Sequence, residues 1–164
     1  LLMGYSALGS DSEPSQVQDA QTNLNWLSKQ IHLPSFTLFQ ADATQLTQAQ
    51  LPSNPFCIVC ETWLGPRLTK LPPPAVLKTI QTDVETLLDT FLANLKKIIP
   101  SPLTLIFTVP FHKEKNDRHF LPNLPEILAR HAQIVPLSDH DRPSLFYERK
   151  DQTVGREIWK LLTK

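Results

Sequence analysis

Glycine is scarce in this chain: four in 164 residues, at Gly4, Gly9, Gly65 and Gly155, and none makes a glycine-rich phosphate loop. Cysteine is scarcer. Two cysteines exclude a disulfide framework and fit a reducing, cytoplasmic compartment. Neither sign of charge is in excess; 16 Lys+Arg against 16 Asp+Glu argue against a purely electrostatic nucleic-acid binder. No apolar run approaches the roughly 20 residues that span a bilayer.

Hydrophobic residues make up 41% of the chain and charged ones only 20%, so it can bury a core of ordinary size. The length suits one domain, residues 1–164. The charges are unevenly placed. Residues 1–60 hold four acids and one base (Lys29), whereas residues 112–164 hold ten bases and eight acids. A phosphate-binding surface is therefore expected in the second half or outside this chain. The opening Leu1-Leu2-Met3-Gly4-Tyr5 reads as the end of a helix already under way, without the positive flank of a signal peptide. The chain is expected to be the C-terminal portion of a longer protein.

Ser6-Ala7-Leu8-Gly9 reads as a buried strand, followed by a turn and a helix start capped by Ser12 with Pro14 in its first turn. Val17, Ala20, Leu24, Leu27 and Ile31 then recur at helical spacing over about five turns, closed by Pro34. Residues 36–40 form a second strand. The run Phe56-Cys57-Ile58-Val59-Cys60 is continuously apolar, as in strands covered on both faces. After Pro72-Pro73-Pro74, apolar residues from Val76 to Ile98 mark a long amphipathic helix, ended by Pro100 and Pro102. Residues 103–109 predict a central strand, 112–119 a charged loop, and Leu124 to His131 a short helix. Residues 134–137, 144–148 and 157–162 complete the chain, the last two as an antiparallel pair. Alternating strands and helices imply parallel crossovers, an α/β sheet with helices on both faces and an antiparallel C-terminal edge.

In such sheets ligands bind at the carboxyl ends of strands. Three of those ends carry acids: Asp11 or Glu13, Asp42, and Glu61. Together with Gly9-Ser10-Asp11, Asn23-Leu24-Asn25-Trp26, Gln40-Ala41-Asp42-Ala43-Thr44, Ile58 to Pro66, and the closing Tyr147 to Ile158, they give the chain its likeness. It resembles the class I S-adenosylmethionine-dependent methyltransferases, and more narrowly the RNA methylases related to THUMP-containing tRNA guanine-N2 methyltransferases.

The resemblance implies a Rossmann-like, mostly parallel sheet that lacks its first central strand, leaving a slot between the strands at 6–9 and 56–60. It implies S-adenosylmethionine as cofactor, with Asp11 or Glu13 on the ribose hydroxyls and Asp42 on the adenine amine beside Ala43. Glu61, Thr62 and Trp63 would form the catalytic acceptor motif, and Trp63, Leu64, Gly65 and Pro66 would meet the substrate base. The substrate would be RNA, a tRNA guanine first, brought by an RNA-binding domain upstream. Lacking the Cys-Gly-x-Gly type loop, this stretch alone is expected to be inactive. The family's acceptor motif usually has Asp or Asn, two prolines and an aromatic; here Glu61 is one methylene longer, Thr62 replaces proline and Trp63 stands one position early.

Two other readings share the pattern: a dinucleotide-dependent oxidoreductase, for which no G-x-G-x-x-G is present, and a non-catalytic methyltransferase-like protein that binds RNA or a partner. Cys57 and Cys60 match C-x-x-C, but on a strand they point to opposite faces, which suits structural cysteines. The histidines show no metal spacing, and Asp139-His140-Asp141 reads as a solvated turn. Lysines and arginines at 113–118 read as a solvated loop or an RNA contact, Trp26 and Trp159 as packing residues.

Overall fold

The computed structural model describes residues 1–99, 102–115, 117–138 and 142–164. They form two compact units, Leu1–Asn54 and Pro55–Lys164.

The first unit is a strand–helix–strand. β1 (Ala7–Asp11) pairs in parallel with β2 (Phe36–Gln40), from Ala7↔Phe36 to Asp11↔Gln40, across α1 (Pro14–Ser28). Asp42 then opens a 3₁₀ turn at Ala43–Gln45. The stripe of Val17, Ala20, Leu24 and Leu27 is half-buried, and no residue of the unit is fully buried. Three expectations are corrected here. α1 stops at Ser28, where the Lys29 and Gln30 N–H groups bond three residues back, to the Trp26 and Leu27 carbonyls, and tighten the last turn. Its N-cap is Glu13, not Ser12, and the cap contact comes from Asp11, whose short carboxylate accepts the Glu13 N–H at 2.8 Å. Trp26 lies off the apolar stripe and is 64% exposed, so it is not a packing residue.

The second unit carries the core. β3 (Cys57–Glu61) runs parallel to β4 (Thr104–Glu114), joined by the crossover helix α2 (Pro74–Ile98). β5 (Asp117–His119) folds back on β4, and α3 (Leu124–His131) leads directly into β6 (Ala132–Ile134). β7 (Leu145–Tyr147) and β8 (Val154–Thr163) form the expected antiparallel pair. The strand order is β3-β4-β8-β6, with β8 antiparallel to both neighbours.

β4 and β8 alternate as sheet strands with one covered face should. Leu105, Phe107, Val109, Trp159 and Leu161 point to one side, where Val84, Leu88, Phe91, Leu92 and Leu95 of α2 and Leu124, Ile127 and Leu128 of α3 meet them. Each such side chain taken from water contributes roughly 1.5–3 kcal/mol. Gly155 is packed against Phe111 so closely that a Cβ would enter the ring.

β1 pairs with β2 and β3 with β4, in two separate sheets. The run at 56–60 is not covered on both faces, however. Ile58 and Cys60 face the core, while Val59 is 70% exposed. The charged stretch from 112 is a β-hairpin instead of a loop, turning at Lys115 with φ of 56°. Lys113 donates to the Arg149 carbonyl and Arg118 pairs with Glu148, which ties the hairpin to the chain beyond β7. Pro100 and the Asp139-His140-Asp141 turn lie outside the described residues.

Candidate functional site

Within the first unit the parallel pairing sets two acids at one strand end. Asp11 closes β1, and its carbonyl accepts the Ala41 N–H at 3.0 Å, one residue before Asp42. The Asp11 carboxylate spends Oδ1 on Glu13; Oδ2 has no partner among the described residues. Asp42 holds its own turn: Oδ1 accepts the Thr44 N–H at 2.8 Å and the Thr44 hydroxyl at 2.7 Å, and Gln45 reaches Oδ2 only at 3.4 Å. The hydroxyl and then the backbone bond from Thr44 hold the Asp42 carboxyl below its ordinary range. Both acids are thus fixed by local caps, each keeping acceptor capacity on Oδ2. Glu13 is exposed, and Ala43 starts the 3₁₀ turn.

In the second unit the acceptor segment follows β3. Glu61, in register with Thr108, ends the strand. The Thr62 N–H and hydroxyl both donate to the Thr108 carbonyl, at 3.2 and 2.7 Å, so threonine anchors the segment where a proline would have no N–H to give. Trp63 is 47% exposed. Gly65 has φ of 86°, a conformation that favours glycine, and a Cβ on it would stand only 3.0 Å from Ile80 Cγ2. Leu64 is half-buried and Pro66 exposed.

The residue that sequence reasoning missed is Arg156. Its Nε donates to Glu61 Oε1 in an ion pair that reaches over β4. Registers Arg156↔Pro110 and Glu61↔Thr108 place both on the sheet face away from the core. The alternation of β8 gives the side Arg156 occupies, but no local pattern shows which residue two strands away it meets. Cys60, beside Glu61, faces the core; burial first, then the neighbouring carboxylate, pushes its thiol up to about 11, an unreactive state. Among the described residues no group of three or more His, Cys, Asp or Glu comes together.

No protein-family model matches the chain, and no curated protein is similar to it in sequence. Solved structures do share its architecture. N-methyltransferase NodS from Bradyrhizobium japonicum, in complex with S-adenosyl-L-homocysteine, is 10% identical with a TM-score of 0.54, over 95% of this chain and 65% of NodS. A SAM-dependent methyltransferase from Methanosarcina mazei is 12% identical with a TM-score of 0.54, over 99% of this chain and 83% of its own. The fold is a Rossmann-like methyltransferase fold. At these identities the likeness fixes the arrangement of strands and helices, while the residues at the strand ends are this chain's own. The chain spans 65% of the length of NodS. Among the described residues, no helix is long and apolar enough to cross a membrane.

Proposed function

We propose that the protein is an S-adenosylmethionine-dependent methyltransferase acting on an exocyclic amine of a nucleobase in RNA, with a tRNA guanine the first candidate. The observation that carries this reading is the parallel β1–β2 pair in a methyltransferase fold, with Asp11 and Asp42 at its carboxyl end. The carboxylates suit the group. Asp11, with Glu13 as its neighbour, keeps an oxygen for ribose hydroxyls, and Asp42, with Ala43 beside it, keeps one for the adenine amine. When bound, the cofactor supplies an electrophilic methyl on a sulfonium.

The chain's own residues orient and hold. A ring-conjugated amine is a poor nucleophile, because its lone pair is delocalised. Acceptors on its N–H groups, here Glu61 and the Thr62 carbonyl, favour a pyramidal nitrogen. Trp63 offers a face on which the base stacks once it has left its helix. Alignment of this kind accounts for about 7–11 kcal/mol of a barrier. Bases from the second half, and an upstream RNA-binding domain, would bring the RNA.

Isothermal titration with S-adenosylmethionine, beside transfer of labelled methyl to tRNA, tests the reading on the intact protein. Asp42→Ala is expected to weaken cofactor binding at least ten-fold. Glu61→Ala is expected to spare binding and lower turnover by roughly 10²–10⁴-fold. Unchanged turnover in Glu61→Ala removes Glu61 from the reaction. A second reading, a non-catalytic protein that binds RNA or a partner, draws on the Arg156 ion pair that already occupies Glu61. It predicts RNA retention with no methyl transferred.

A further inference from the structure

We propose that Arg156 determines which amines the Glu61 site accepts: it turns a bare carboxylate into a net-neutral acceptor for an uncharged ring amine and excludes alkylammonium ions. The inference deepens the methyltransferase reading and rests on it for the identity of the reaction.

Three observations converge. First, Arg156 Nε occupies Glu61 Oε1, and Oε2 has no partner among the described residues, so one acceptor oxygen stays open. Second, the pair stands half in water: the Glu61 side chain is 53% exposed and that of Arg156 31%. Both groups are therefore within reach of a ligand arriving on that face. Third, the next residues are the doubly anchored Thr62 and the half-exposed Trp63.

An unpaired, water-exposed carboxylate is a good seat for a cation. A guanidinium fixed on that carboxylate reverses the preference. The cation now meets an equal positive charge a few ångströms from its partner, whereas a neutral N–H meets no such repulsion and finds an anionic oxygen that the guanidinium holds in place. Trp63, two residues on from Glu61, is 47% exposed. Arg156 is thus a positioning residue for Glu61. Lysine, with a point charge and no fork, would keep the neutrality and part of the geometry.

The test is titration of the intact protein, with S-adenosylhomocysteine present, against guanosine, adenosine, cytidine, the amine-free uridine, and spermidine. Wild type is expected to bind one amine-bearing nucleoside at least ten-fold more tightly than uridine, and spermidine no better than Glu61→Gln does. Arg156→Met should lose about ten-fold for that nucleoside and gain about ten-fold for spermidine. Arg156→Lys should restore both directions in part. A merely structural role would weaken every ligand alike, and thermal melting of each variant identifies that case, which overturns the proposal. So does an Arg156→Met variant with wild-type preferences, or a wild type that does not distinguish the nucleosides from spermidine. Labelled methyl transfer is read separately. Selective binding without transfer refutes the methyltransferase reading and leaves the selectivity standing. Transfer to RNA with kcat, KM and spermidine affinity unchanged in Arg156→Met refutes the selectivity alone.

Discussion

His112 is fully buried at the far end of β4, and neither of its ring nitrogens has a partner among the described residues. Burial, then the charge of His119 in register across the hairpin, lowers its pKa, so the folded protein holds a neutral imidazole there. In the unfolded chain the same group takes a proton near pH 6.5. The folded state therefore binds fewer protons: this contribution is complete above the unfolded value and is lost as pH falls below it. Chemical denaturation at pH 7.5 and 5.0 is expected to show a loss on acidification that His112→Leu reduces; an equal loss in both proteins refutes the assignment. Such an environment is not legible in the sequence, where His112 reads as the first residue of a charged loop. Strand ends show the same limit. Asp11, Asp42 and Glu61 are each legible as acids that follow apolar runs, yet the caps that fix the first two and the arginine that occupies the third depend on turn geometry and on pairing two strands away.

At the scale of elements, α2 reads clearly because its apolar period is long and unbroken, and the two polar residues inside that stripe carry information of their own. Gln81 and Glu85, one turn apart, are both buried. Gln81 Nε2 donates to the Phe120 carbonyl at 2.9 Å. Glu85 accepts the Asn123 N–H at 2.7 Å and its side-chain Nδ2 at 2.8 Å. Asn123 is the N-cap of α3 and makes no cap bond itself, so α2 supplies the acceptor that the start of α3 needs. Glu85→Ala is expected to cost about 1–3 kcal/mol, because it orphans a half-buried N–H and an amide together. Urea denaturation measures the loss, and faster hydrogen exchange at Asn123 locates it. A cost below about 0.5 kcal/mol would mean that water replaces the carboxylate without penalty. Periodicity thus gives the helices and the pairing of β7 with β8. It misses the β4–β5 hairpin, whose alternating charges look like a solvated loop until Arg118 and Lys113 find Glu148 and the Arg149 carbonyl.

For the molecule as a whole, the decisive contrast is between its two units. Every member of the hydrophobic core cluster lies in Pro55–Lys164, and no residue of Leu1–Asn54 is fully buried. A two-stranded sheet needs a helix or a further strand packed on it to be stable in water, and here the packing on α1 leaves every residue of the unit at least partly exposed. Residues 36–40 and 103–109 both read as strands in the sequence; their unequal burial depends on what covers them, which composition does not encode. Local opening should follow burial. Native-state hydrogen exchange on the intact protein is expected to be slowest at the central β4 and β8 amides, paired from Thr104↔Leu162 to His112↔Val154, and fastest in β1, α1 and β2. Saturating S-adenosylhomocysteine should slow exchange in β1 and β2 selectively, since Asp11 and Asp42 stand at their ends and a ligand held there stabilises only what contacts it. Uniform protection across both units without ligand would show that the first unit is as stable as the second. Protection by ligand confined to Pro55–Lys164 would remove Asp11 and Asp42 from the cofactor site.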